Sequence, residues 1–241
     1  MIQKTPSLTS TLDRIVAECQ LNLKWDRYSR DNLTVEGARV LVLQWGVFTR
    51  HSRRCWAHVV GNCPHLEVRK FIVTENLYDE EAIEGRSHYD LMVKMGNALG
   101  LDWEEVDQSE PLPTTVVALH TWENLTKNRS WHEGLAAKAV LERTNHPECG
   151  NFSALQAERW GRQLKLSRDD LEFWTLHDVK DQVHACGAYD LLENYLHEER
   201  QRKAAIQAAK ESMMAWKVYL DGIYEAAIEN SAKKRALHGT A

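Results

Sequence analysis

The string HDVKDQVH places His177, Asp181 and His184 at steps of four and three residues. On an α-helix such steps put side chains on one face. A stripe of imidazole, carboxylate and imidazole suits a metal that keeps open coordination positions. A second pair, Glu81 and His88, stands seven residues apart. At about 100° per residue, two turns leave them only about 20° apart in direction, so on one helix both point at one place. Five oxygen and nitrogen donors from two helices favour iron or manganese over zinc, which takes four ligands and often sulfur. Dimetal sites in helical bundles draw carboxylates and histidines from four helices. A sixth ligand is therefore expected from another helix. Glu142 is the best candidate, although geometry alone does not select it, because it shares a helical strip with Leu135 and Lys138. Each string by itself is also what a solvated helix face looks like; the two together in a helical chain favour a metal.

These residues need long helices to hold them, and the chain has the composition for that. In 241 residues there are 12 glycines and 5 prolines, few breakers for the length. A first helix is read over Ser7 to Leu23, then a polar connection over Trp25 to Leu33. A helix from Thr34 follows, stopped at Gly61-Asn62-Cys63-Pro64. His65 to Leu99 reads as one unbroken helix with Gly100 as its C-cap. Asp102 to Pro113 reads as a loop and Thr114 as the cap of a helix to Lys127. Ser130 and Glu133 form a capping box for the helix Trp131 to Thr144. Phe152 to Leu164 is helical. Ser167 with Asp170 opens the helix that carries His177, with Gly187 as a candidate kink, and Tyr189 to Lys234 continues the helical pattern. No segment alternates like a strand. The expectation is an all-α single domain over residues 1–241, a helical bundle of about seven to eight helices.

Charge narrows the function classes. The balance of 30 basic and 35 acidic residues, net −5, lacks the clustered basic excess of a nucleic-acid or membrane-surface binder. Five cysteines with no CxxC pair argue against a disulfide framework or structural zinc and fit a reducing cytoplasm. The first twenty residues lack a basic stretch followed by an apolar run, so no secretory leader is expected. Nowhere do 18 apolar residues run together, so no membrane span is expected.

The stretch RKFIVTENLYDEEAIEGRSHYDLMVKMGNALGL, Arg69 to Leu101, resembles the central helix of the haem-oxygenase-like diiron oxidases. Asn76, Leu77, Glu80, Glu81, His88, Ala98, Leu99, Gly100 and Leu101 match that family's pattern, and Cys63, Pro64 and Arg69 resemble the start of its long helix. Glu142 stands 35 residues before His177, as the family's glutamate precedes its His-x3-Asp-x2-His string. The resemblance covers most of residues 34 to 230. It implies a haem-oxygenase-like fold without haem, and two Fe2+ ions held by Glu81, His88, Glu142, His177, Asp181 and His184. Glu81 or Glu142 would bridge the irons, which together activate O2 through a peroxo-diferric species. Members that make p-aminobenzoate from their own side chains use a lysine shortly after the Glu142-type ligand. Here that stretch reads NHPECGNFSALQ, with no lysine, so self-sacrificing chemistry is not expected.

The implied partners are O2, a small-molecule substrate and an external electron donor. The family oxidises amino acids or amines in natural-product biosynthesis, by N-oxygenation, C–C cleavage or rearrangement to a nitrile. An amino-acid oxidase is preferred here, with a fatty-acid decarboxylase of the same family as runner-up. A thiaminase-like hydrolase would not need six ligands in register, and a non-catalytic helical interaction protein would not need iron. Among nine tryptophans, Trp45, Trp122, Trp131 and Trp174 stand out, and Trp174, one turn before His177, is a candidate wall for an aromatic substrate. Arg39, Arg50 and Arg69 are candidates for a carboxylate clamp. The pattern from Met213 to Tyr224 suits core packing and also leaves room for a homodimer.

Overall fold

Caps and breakers set the helix boundaries in the computed structural model, which describes residues 6–238 and, within them, the side chains other than 179–183 and 234–238. The helices are α1 (Leu8–Gln20), α2 (Lys24–Asp31), α3 (Val35–Asn62), α4 (Leu66–Phe71), α5 (Tyr78–Glu80), α6 (His88–Ala98), α7 (Trp103–Asp107), α8 (Pro113–Lys127), α9 (Trp131–Glu142), α10 (Phe152–Leu164), α11 (Glu172–Tyr195) and α12 (Glu199–His238). No strand occurs among the described residues. The all-α bundle is as expected, but among the described residues the α-helices number twelve rather than seven or eight. Short helices fill the two connections read over 25–33 and 102–113, and one long segment is broken.

That break is the main correction. Between α4 and α5 the chain makes a π-helical turn, Ile72–Leu77, and after α5 it leaves the helix altogether. Ala82 (φ 52°) and Gly85 (φ 80°) take left-handed conformations that end a helix. Helix formation restarts at Ser87, whose hydroxyl accepts the Asp90 N–H while the Asp90 carboxylate accepts the Ser87 N–H, so α6 begins at His88. Gly100 ends α6 with φ 78°, the expected left-handed cap. The Ser130–Glu133 capping box opens α9 as expected.

The long α12 lies along α9, α8 and α3, and α11 lies against α9 and α10. Where these meet, Trp45 of α3 sits among Phe152, Trp174, Trp216 and Tyr219, with ring centroids 5.3–5.9 Å away. Stacked, tilted and edge-on contacts of this kind add about 0.5–1.5 kcal/mol per pair beyond area burial. Gly187 does not kink α11, which runs through it. A Cβ there would lie 2.4 Å from the Phe71 ring, so the missing side chain lets α11 close on the α4–π-turn segment. No helix of the described residues is long and apolar enough to cross a membrane.

Candidate metal centre

The wide turn decides which acidic side chain faces inward. Val68, Ile72, Asn76 and Glu80 are all buried, at successive steps of four. In a regular α-helix each step of four drifts by about 40° around the axis, so three such steps would turn the last residue well off the face of the first. The π-helical turn holds one more residue per hydrogen-bonded ring and absorbs the drift. Glu80 therefore points into the protein at 7% exposure. Glu81 points out, half exposed, with its Oε2 3.3 Å from Arg53 Nη1. The structure thus brings Glu80, not Glu81, to His88.

His88 Nδ1 lies 3.4 Å from Glu80 Oε2. The His88 ring is tilted against the His177 ring at a centroid distance of 4.2 Å. His177 Nδ1 lies 2.7 Å from the Phe173 carbonyl oxygen. Glu80, His88, Glu142 and His177 line one cavity together with six aromatic side chains, Trp45, Phe48, Phe152, Phe173, Trp174 and Trp216, and a polar side that includes Ser52 and Lys138. The cavity has a volume of about 60 Å³. Of the tryptophans singled out, Trp45 and Trp174 reach the cavity wall, whereas Trp122 packs behind Phe48 and Trp131 packs on His65 and Tyr195.

Each donor has a partner that orients it. Asn76 Nδ2 donates to Glu142 Oε1 at 2.8 Å. His184 Nε2 lies 3.7 Å from Asp79 Oδ2, a second buried imidazole–carboxylate pair. Ser52 Oγ donates to Glu80 Oε1 at 2.9 Å and accepts from Lys138 Nζ at 2.7 Å. Burial pushes the Glu80 carboxyl up, but the His88 imidazole, the Lys138 ammonium and the Ser52 hydroxyl outweigh it and bring it down to about 2. Burial, with the neighbouring His88, lowers His177 to about 3. The site thus holds an ionised carboxylate beside a neutral imidazole.

The Asp181 side chain lies outside the described residues. Among the described residues, no three His, Cys, Asp or Glu side chains stand close enough to hold one ion as placed. The donors come in pairs: Glu80 with His88, Asp79 with His184, and Glu142 on Asn76. In kind they fit iron, being buried carboxylates and imidazoles with His177 presenting Nε2.

Asp79 and Ser52 were missed in the sequence, and Asn76 and Lys138 were named there without a role. Asn76 and Lys138 each precede a donor by four residues, Glu80 and Glu142, and that spacing was the available signal. Ser52 carries no signal of its own. The candidate clamp arginines are engaged elsewhere. Arg39 Nε donates to the Leu99 carbonyl, Arg50 pairs with Asp107, and Arg69 donates to the Cys63 carbonyl.

Comparison with known proteins gives the class. The model of a family described as iron-containing redox enzymes matches residues 39–217, and the chain belongs to that family. A 4-aminobenzoate synthase of Nitrosomonas europaea is 25% identical over 169 residues, 70% of this chain and 66% of that protein. The chain therefore spans about two thirds of the length of this curated relative. A Shewanella denitrificans protein with a heme oxygenase-like fold superposes with a TM-score of 0.76 at 15% identity, covering 92% of this chain and 94% of that one. A TenA homologue of Pseudomonas syringae gives 0.73 at 12% identity over 90% and 91%. A CADD-like protein of Nostoc punctiforme gives 0.61 at 19% identity over 94% and 95%. These structures share the haem-oxygenase-like fold.

Proposed function

We propose that the protein is a non-haem diiron oxidase or oxygenase that uses O2 on a small amino acid or amine with an aromatic side chain. The observation that carries this reading is that Glu80, His88, Glu142 and His177, from four separate stretches of chain, face one buried, aromatic-walled cavity. Membership of an iron-containing redox family supports it. So does the relative whose name specifies an aromatic amine product.

His88, Glu142, His177, Asp181 and His184 are the proposed ligands, with one carboxylate from the Glu80–Glu81 pair. As placed, that carboxylate is Glu80. Glu81 takes the role only if residues 81–87 wind into helix, the arrangement in which it and His88 share a face. Bound there, two ferrous ions would supply the electrons that reduce O2. The chain's own contribution is placement. Asn76 orients Glu142, Ser52 and Lys138 keep Glu80 ionised, and the rings of Trp45, Phe152 and Trp174 exclude water from the reacting volume. Oxidative rearrangement to a nitrile, C–C cleavage and N-oxygenation are the outcomes in view.

The test is to titrate Fe(II) anaerobically into the metal-free protein with a panel of amino acids, then mix with O2 in a stopped-flow spectrometer. The reading expects two irons per chain and a transient visible band hastened by one substrate. Absence of iron uptake and of any transient would sink it and leave a helical interaction module on this fold.

A further inference from the structure

Lys138 stands on α9 one turn before Glu142 and is 3% exposed. Among the described residues it is the single Lys or Arg lining the cavity. Its Nζ donates to Ser52 Oγ at 2.7 Å and lies 5.0 Å and 5.6 Å from the centroids of the Trp56 and Phe48 rings. An ammonium has three hydrogens to donate, and one is placed on an oxygen here. Aromatic faces attract the charge but do not neutralise it. The Glu80 carboxylate is linked to the ammonium through the Ser52 hydroxyl.

We infer that Lys138 is the seat for an anionic group of the substrate, so that the site takes a small carboxylate with an aromatic or otherwise apolar body. This rests on the reading of the cavity as a substrate site. A buried charge has to be paired. Lys138 reaches Glu80 only through the Ser52 hydroxyl, so a substrate carboxylate can pair with it directly in the metal-free protein, and more strongly once a metal ion takes the charge of Glu80. The body of the substrate then lies against Trp45, Phe152 and Trp174 of the same lining, which move apart to admit it, since about 60 Å³ is less than a benzene ring needs. Metal and anion therefore favour each other's binding, and the coupling is reciprocal. The arginines that might have competed for the carboxylate are held outside the cavity by Leu99, Asp107 and Cys63.

The experiment titrates the full-length protein under nitrogen, metal-free and loaded with Mn(II), with two pairs of ligands: phenylacetate against phenylacetamide, and L-phenylalanine against L-phenylalaninamide. Quenching of tryptophan fluorescence reads binding without turnover. In wild type each carboxylate should bind more tightly than its amide in both states, by about tenfold with Mn(II). Lys138→Gln should abolish the metal-free preference for the carboxylate over the amide, while Lys138→Arg should keep it. Should Lys138→Gln fail to fold, Lys138→Met serves, because its unbranched apolar chain suits the slot between Trp56 and Phe48. A wild type that prefers neither member without metal, or binds neither, overturns the inference, as does a preference that survives in Lys138→Gln. A Lys138-dependent preference in a protein that takes up no iron would keep the anion seat and sink the diiron reading. Iron uptake without carboxylate discrimination would do the reverse.

Discussion

His177 Nδ1 lies 2.7 Å from the carbonyl oxygen of Phe173, one turn back on α11. A carbonyl oxygen only accepts, so Nδ1 carries the hydrogen and Nε2 carries the lone pair. This is the usual way in which a second hydrogen bond fixes which imidazole nitrogen ligates a metal. Nitrogen-15 NMR of the metal-free protein should show His177 as the Nδ1–H tautomer. An Nε2–H tautomer would remove His177 from the ligand set.

The inward turn of Glu80 separates two neighbouring glutamates by function. Glu80→Ala should lower iron binding from two ions per chain to one at most, measured by metal analysis after anaerobic loading. Glu81→Ala breaks only an exposed contact with Arg53 and should keep two. The opposite pattern would mean that residues 81–87 wind into helix when metal binds. Asn76→Ala, which takes the hydrogen bond from Glu142, should weaken binding by about 10–100-fold, the usual cost of an outer-shell partner.

His51, largely buried on α3, is lowered to about 4 by burial, with Lys138 and Arg54 adding to the effect. The folded protein therefore keeps His51 neutral where the unfolded chain, near 6.5, takes up a proton. Stability is fully present above pH 6.5 and is lost as pH falls toward 4, by about 2–3 kcal/mol from this residue. Urea denaturation across that range should show the slope, and His51→Gln should flatten it. An unchanged slope in the variant would refute the assignment.

Arg143, 5% exposed, grips Asp13 with two parallel bonds, Nε–Oδ1 at 2.7 Å and Nη2–Oδ2 at 3.0 Å. The pair ties α1 to the end of α9. Arg143→Met should cost about 2–4 kcal/mol in chemical denaturation, below the full penalty of a stranded buried charge because Asp13 keeps some solvent contact. A loss under about 0.5 kcal/mol would show the pair to be energetically idle.

Gly187 and Phe71 make a test of packing with a sign change. Alanine favours a helix interior over glycine by about 1 kcal/mol, yet its Cβ would meet the Phe71 ring at 2.4 Å. Gly187→Ala should destabilise the wild type by about 1–3 kcal/mol. In a Phe71→Ala background the same change should stabilise. The same sign in both backgrounds would mean that the ring moves aside at little cost.

The helix pattern was readable wherever a local device set it. The Ser130–Glu133 box, the Gly100 cap and the stop at Gly61–Pro64 are short-range chemistry and appear in the structure as read. The break after Glu80 carried local signals too, Gly85 and the Ser87–Asp90 box, which the helical spacing of Glu81 and His88 overrode in the reading, whereas the wide turn answers to packing of Ile72 and Asn76. The same limit applies to the site. Helical spacing singled out His88 and His177, the family resemblance pointed to Glu142, and the cavity brings the three together. Ser52 and Asp79 become visible only once helices distant in sequence are laid side by side.

The π-helical turn at Ile72–Leu77 has a consequence for anyone comparing this chain with its relatives. It amounts to a one-residue insertion swallowed within a helix, with no loop to betray it. Residue counts taken across it are out of phase with the surface they describe, so an alignment free of gaps can still pair an inward side chain with an outward one. For this segment homology must be judged by superposed faces, and adjacent glutamates in two relatives can be the same position in space.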